Sequence, residues 1–227
     1  MLSNYTNITI EHIISALEEP LPGKQAHISM LPEGRDLICD ETNQSIKKSA
    51  VLMLLYPEGN ELHFCLTKRN SMLRNHPGQI SFPGGRCENH ETDPWNTSLR
   101  ETEEEIGVPQ NQIILIGKLS AVFVKVSNFM IYPYIGFSPE KPAFRVNHHE
   151  VEALISLPLS EILSDDNHTT RNVNTFMGSM KVPCYHINNH IIWGATSMMI
   201  AELEAILKQY YSRRGAHSDN VDNGREP

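Results

Sequence analysis

The sequence predicts an α/β (α+β) fold in which a mixed sheet is sandwiched by helices. Three observations carry that expectation. Apolar runs of strand length recur, at residues 50–56 (AVLMLLY), 113–119, 121–126 and 130–137. Among them lies a segment that opens at Asp93-Pro94 and closes at Gly107, with helix start and stop signals at its two ends. Beyond them, residues 195–211 repeat Met199, Leu203, Ile206 and Tyr210 at helical spacing, which predicts a stripe facing the core.

Taken in order, residues 8–17 (ITIEHIISAL) space their apolar side chains as a short amphipathic helix, and residues 19–48 read as a long irregular connection rich in proline, glycine and polar residues. The run 50–56, the turn Pro57-Glu58-Gly59-Asn60 and the alternating residues 61–67 predict a hairpin. Residues 78–85 form a short strand ending in Pro83-Gly84-Gly85, followed by a polar loop to Asp93. Asp93 is a suitable cap and Pro94 a suitable first-turn residue for a helix that ends at Ile106, with Gly107 as its stop and Pro109 beyond. Further strands are expected at 151–157 and around 181–192, and the polar stretch 212–227 is expected to be a disordered tail. The chain therefore divides into an extension (1–48), a main domain (49–211) and the tail.

The 227 residues, 40% hydrophobic and 20% charged, suit one domain with a full core. No apolar run approaches the ~20 residues of a membrane span, and no basic flank precedes an apolar stretch at the N-terminus, so a cytoplasmic protein with no membrane partner is expected. Cys39, Cys65, Cys87 and Cys184 are scattered, unlike a disulfide framework or a zinc site, and Cys65 reads as core filler. A formal net charge of -8 disfavours nucleic acid as a partner, because binding to it rests on neutralising phosphates. The oligomeric state stays open, a homodimer included.

The most informative stretch is Arg100-Glu101-Thr102-Glu103-Glu104-Glu105-Ile106-Gly107. Glu101, Glu104 and Glu105 stand at i, i+3 and i+4 and share one helix face. Each neighbouring like-charge pair costs on the order of a few tenths of a kcal/mol, and acidic residues near a helix C-terminus oppose its dipole. A divalent cation removes this conflict, and Mg²⁺ prefers carboxylate oxygen while keeping positions open for substrate phosphates. Backbone carbonyls at the Gly84-Gly85 pair offer another oxygen.

This stretch, with Gly85 and Glu91 upstream, resembles the signature of the Nudix hydrolase family, whose fold is an α/β/α sandwich with a mixed sheet. Two departures stand out: eight residues separate Glu91 from Arg100 where the family has seven, and Thr102 occupies an apolar position. The resemblance implies that Glu101 and Glu105 are the leading ligands of Mg²⁺ or Mn²⁺, with Glu104 as ligand or base and the Gly84 carbonyl as a further ligand. Gly85, Glu91, Arg100 and Gly107 are then structural parts of the motif, with Arg100 pairing to Glu91 or Glu88.

Between Thr67 and Cys87 the chain carries Lys68, Arg69, Arg74 and Arg86, together with His76, and no acidic residue. In an acidic protein such a local excess suits phosphate. Residues 66–85 resemble the additional motif of the coenzyme A pyrophosphatase branch, with Asn70 set between the expected Arg-Ser pair, and Ile192-Trp193-Gly194-Ala195-Thr196 resembles that branch's lead into its last helix. The resemblance implies hydrolysis of coenzyme A or acyl-coenzyme A to 4'-phosphopantetheine and adenosine 3',5'-bisphosphate, with Arg69, Arg74 and Arg86 on the phosphates. Glu104, Glu105 and Glu150 are the candidates for catalytic carboxylates, Glu104 or Glu150 accepting the proton. Two alternatives remain: a Nudix pyrophosphatase for another nucleotide (ADP-ribose, a dinucleotide or a modified triphosphate), and an inactive binding module. His148 and His149 are more naturally loop residues than ligands, and Trp193 more naturally an anchor for the last helix than an adenine platform.

Overall fold

A computed structural model describes residues 8–37, 45–73, 77–175 and 178–222, with side chains of the last helix described as far as Arg214. Arg74, His76 and Cys39 lie outside the described residues.

Among the described residues, eight strands form one mixed sheet: β1 (Lys47–Glu58), β2 (Glu61–Arg69), β3 (Ile80–Ser81), β4 (Gly84–Arg86), β5 (Ile114–Lys118), β6 (Val122–Val124), β7 (Phe129–Phe137) and β8 (Val151–Pro158). The central pair β1 and β7 is parallel, from Lys47 opposite Phe129 to Leu55 opposite Phe137. The other ladders are antiparallel, with β2 and β4 on one side of β1 and β8 beyond β2. A second, antiparallel sheet holds β9 (His168–Thr175), β10 (Gly178–Ile187) and β11 (His190–Trp193) in the order β11-β10-β9. The helices are α1 (Ile10–Leu17), α2 (Lys24–His27), α3 (Pro94–Ile106) and α4 (Ala195–Asp222).

Two apolar clusters make the sandwich. Leu99, Ile106 and Val108, on and just after α3, pack against Leu52, Leu54, Tyr56 and Cys65 of β1 and β2. Ile13 and Ala16 of α1, Met53, Leu55 and Phe64 of the sheet, Tyr185 and Ile192 of the second sheet, and Leu203 and Leu207 of α4 fill the larger cluster. The alternation of β1 explains this split, since Leu52 and Leu54 point to one layer and Met53 and Leu55 to the other.

Several elements differ from the sequence expectation. Pro57 and Glu58 continue β1, so the hairpin turns on Gly59-Asn60 alone. Residues 78–85 do not form one strand: buried Phe82 and Pro83 separate β3 from β4, and the Pro83 carbonyl accepts the Leu52 N–H at 2.9 Å. Strand β9 was not foreseen, because HTTRNVNT is polar and largely exposed, and pairing to β10 defines it rather than burial. A four-residue helix, α2, interrupts the expected irregular connection. Helix α4 continues past the expected end at Tyr211 to Asp222, so the backbone of 212–222 is helical where a disordered tail was expected. The added stretch contains no proline to stop it.

The last helix carries two buried carboxylates that its apolar stripe does not explain. Glu202 accepts backbone N–H groups from Gly23 (3.1 Å) and Ser120 (3.0 Å) and pairs with His27 Nε2 at 2.9 Å. Glu204 accepts the Tyr185 hydroxyl and pairs with His168 at 3.0 Å and Lys208 at 2.7 Å. These contacts join α4 to the N-terminal segment and to the second sheet.

Candidate active site

Helix α3 has the predicted limits. Asp93 Oδ1 accepts the Trp95 N–H at 2.9 Å, Pro94 occupies the first turn, and Gly107 closes the helix at φ 70° with its N–H on the Glu103 carbonyl. A side chain at Gly107 would bring its Cβ to 2.6 Å from Arg145 Cβ, so glycine is required twice over there. Thr102, the departure from the apolar pattern, is fully buried and donates its hydroxyl to the Ser98 carbonyl at 2.6 Å. Its polar atom is satisfied within the helix, which leaves its methyl group free to fill the apolar position.

Ahead of the helix, Glu91 is the partner of Arg100. Arg100 donates from Nε to Glu91 Oε1 at 3.0 Å, and Glu91 Oε2 accepts the Thr97 hydroxyl at 2.7 Å and the Glu88 N–H at 2.8 Å. Glu88 is exposed and stands near His90 instead. The extra residue between Glu91 and Arg100 is therefore absorbed in the loop without breaking the pair. The Arg100 guanidinium is the main reason that Glu91 is pulled down to about 2. Arg100 also reaches Glu101 at 2.9 Å and, more weakly, Glu104 at 3.4 Å and the Arg86 carbonyl at 3.4 Å.

The three glutamates of the shared face differ in exposure. Glu105 is buried, Glu101 is half-buried and Glu104 is exposed. Glu101 lies against Gly85, where a Cβ would stand 2.4 Å from its carboxyl carbon. Burial pushes Glu101 up from its ordinary value, and burial pushes Glu105 up to about 8, with the charges of Glu101 and Glu150 adding to the rise. Arg69 and the Gly84 backbone act on Glu105 in the opposite direction. Oxygen Oε2 of Glu105 is buried with no hydrogen-bond partner.

The sheet and the 147–150 turn deliver the remaining candidates. Arg69 ends β2 opposite Val151, and Glu150, half-buried, immediately precedes β8. Both act on Glu105, so the structure brings together Arg69, Gly84, Gly85, Glu101, Glu105 and Glu150. Arg86 is exposed at the end of β4, and its place in this group is only through its carbonyl on Arg100. Lys68 is taken up by Glu152 in an exposed ion pair. His148 and His149 are exposed on the turn, and Trp193 is half-buried at the end of β11.

Sequence reasoning missed two residues that build this site. Asn147 donates its N–H to the Glu105 carbonyl at 2.9 Å, and Asn70 donates its side-chain amide to the His148 carbonyl at 2.9 Å. Asparagine in a polar loop ordinarily signals only a turn, and the partners here lie 42 and 78 residues away.

The all-oxygen donor set suits a hard divalent ion, and the orphaned Glu105 oxygen with its raised proton affinity marks where positive charge is lacking. Among the described residues, no three acidic, histidine or cysteine side chains already stand as a closed set of ligands.

Comparison with known proteins places the chain in a family. A profile described as the NUDIX domain matches residues 46–176. A protein of Photorhabdus laumondii described as an uncharacterized Nudix hydrolase, NudL, is 33% identical over 138 residues, covering 61% of this chain and 73% of that protein. A protein of the same description from Yersinia pestis is 33% identical over 159 residues, 69% of this chain and 78% of its own length. Nudix hydrolase 22, chloroplastic, of Arabidopsis thaliana is 30% identical over 171 residues, which span 72% of this chain and 56% of the plant protein. Among the described residues no helix is long and apolar enough to cross a membrane.

Proposed function

Since this chain belongs to the Nudix family, we propose that it is a Mg²⁺- or Mn²⁺-dependent pyrophosphohydrolase whose substrate is coenzyme A or an acyl-coenzyme A. The products are 4'-phosphopantetheine and adenosine 3',5'-bisphosphate. The observation that carries the reading is Glu105, a buried carboxylate with an unpartnered oxygen, set among Glu101 and Glu150 and faced by Arg69.

Glu101 and Glu105, with Glu104 at the exposed rim and the Gly84 carbonyl beside them, would hold the ion. An ion bound there supplies neutralisation of the diphosphate charge and a water of lowered pKa. The chain's own residues do the rest. Arg69, at the inner end of β2, and Arg86, at the rim, meet the phosphate oxygens and offset charge on the leaving phosphate. Arg74, from the same basic segment, joins them in this reading. Glu150 or Glu104 takes the proton of the attacking water, and Glu150 stands close enough to Glu101 and Glu105 for its charge to raise both. Glu91 and Arg100 are structural in this reading, and their ion pair fixes α3 against the preceding loop.

Substrate choice rests on the basic segment. Coenzyme A carries a 3'-phosphate besides its diphosphate, so it needs cationic side chains beyond those that serve the scissile bond. Product analysis with coenzyme A, ADP-ribose and NADH, each with and without Mn²⁺, tests this. Metal-dependent release of 4'-phosphopantetheine is expected. Turnover of ADP-ribose alone would assign a different nucleotide substrate, and no metal-dependent turnover of any diphosphate would point to a binding module.

A further inference from the structure

The turn that carries Glu150 is held from two sides. On one side Asn147 binds it to α3: its N–H donates to the Glu105 carbonyl (2.9 Å), while its side chain accepts the His149 N–H (3.2 Å) and donates to Glu150 Oε1 (3.4 Å). On the other side stands Asn70. The pairing of β2 with β8 shifts by one residue between Lys68 and Arg69, so that Arg69 faces Val151 and Glu152 is passed over. After this bulge the Asn70 N–H donates to the Glu150 carbonyl at 2.8 Å, one step beyond the ladder. The Asn70 side chain is then used at both ends: Nδ2 donates to the His148 carbonyl at 2.9 Å, and Oδ1 accepts the Met72 N–H at 2.9 Å.

We propose that Asn70 is a positioning residue that locks the 148–150 turn and thereby holds the Glu150 carboxylate over Glu101 and Glu105. This rests on the reading of Glu150 as a catalytic carboxylate. The turn is exposed at His148 and His149 and has little apolar packing of its own, so its conformation depends on these hydrogen bonds. The amide does two jobs with two separate atoms, donating to the His148 carbonyl and accepting the Met72 N–H, whereas an aspartate carboxylate offers only acceptors and alanine neither.

The experiment is a double-mutant cycle on the full chain, read as separate kcat and KM. Asn70→Ala is expected to lower kcat by about tenfold with KM within about twofold, since it displaces a proton acceptor rather than a phosphate contact. Asn70→Asp keeps the acceptor for Met72 but loses the donor to His148, and is expected to be as impaired as Asn70→Ala. In a Glu150→Gln background, Asn70→Ala is expected to have no further effect on kcat. A full additional loss in that background, an effect confined to KM, or a wild-type Asn70→Asp would each overturn the lock. Wild-type turnover by Glu150→Gln would instead remove the premise, and the outcomes are thus distinguishable. Amide exchange of residues 148–151, faster in Asn70→Ala than in wild type and unchanged elsewhere, reports the released turn without any turnover at all.

Discussion

Arg100 and Glu91 are nine residues apart, and they meet through a 3.0 Å charge-assisted bond in which the carboxylate is nearly buried (6% side-chain exposure). The same carboxylate accepts Thr97 and the Glu88 N–H, so the loop and the first turns of α3 share one acceptor. Glu91→Ala leaves those donors and Arg100 without it. We expect a loss of about 2 kcal/mol in urea unfolding at pH 7, from charged hydrogen bonds removed in a poorly solvated place. The sign with pH follows from a folded pKa near 2, below the unfolded value of 4.5. The contribution is complete above about pH 4.5 and disappears as pH falls toward 2, so wild type and variant should converge in acid.

Glu105→Gln should reduce turnover at least about a hundredfold, as loss of a direct ligand would. Its metal-free fold should be as stable as wild type or more so. Glu105 is pushed up to about 8, so folding of the metal-free wild type retains a proton that the unfolded chain releases above pH 4.5. That benefit is present at pH 4.5 and below, and wanes as pH rises toward 8. The variant should therefore gain relative to wild type across that window, as melting temperatures at pH 5 and pH 8 would show. Near-wild-type activity would defeat the ligand assignment.

Binding of Mn²⁺ should expel a proton. At pH 7 the metal-free Glu105 is largely protonated, and a ligand must be deprotonated. Calorimetry in two buffers of different ionisation enthalpy should give about one proton released per ion at pH 7, and affinity should rise with pH until about 8. A proton count of zero at pH 7 would separate Glu105 from the ion.

Gly85→Ala tests the packing between β4 and α3. The new Cβ would lie 2.4 Å from the Glu101 carboxyl, so the carboxylate must move. We expect at least a tenfold weaker affinity for Mn²⁺ with a cooperative fold retained, because the strand is short and half-buried at this position. Unchanged Mn²⁺ affinity would show that Glu101 can act from elsewhere.

The ends of α3 were legible because the signals are local: Asp93, Pro94 and Gly107 act on their immediate neighbours. The hairpin and the parallel core strand were legible as apolar runs for the same reason. What could not be read depends on partners remote in sequence. Strand β9 is polar and exists through its pairing to β10, and the separation of β3 from β4 depends on Phe82 being drawn into a core assembled from the whole chain. At the site, helical spacing placed Glu101, Glu104 and Glu105 on one face, and the resemblance made Glu101 and Glu105 the leading ligands with Glu104 as ligand or base. Only the sheet beneath distinguishes the buried Glu105 from the exposed Glu104. The choice between Glu88 and Glu91 likewise needed the loop's path, and the roles of Asn70 and Asn147 needed contacts across 78 and 42 residues.

The buried Glu202 has a practical corollary for anyone trimming this protein to its family-matched core of 46–176. Such a fragment discards both the carboxylate and the His27 and Gly23 groups that satisfy it, together with Ile13, Ala16 and Met30. Trimming at residue 46 alone keeps Glu202 and its Ser120 N–H partner but removes the His27 and Gly23 groups, and so leaves the carboxylate only partly satisfied. The smallest piece able to fold is therefore larger than the stretch that similarity outlines, and residues 8–30 belong to it as wall rather than as ornament.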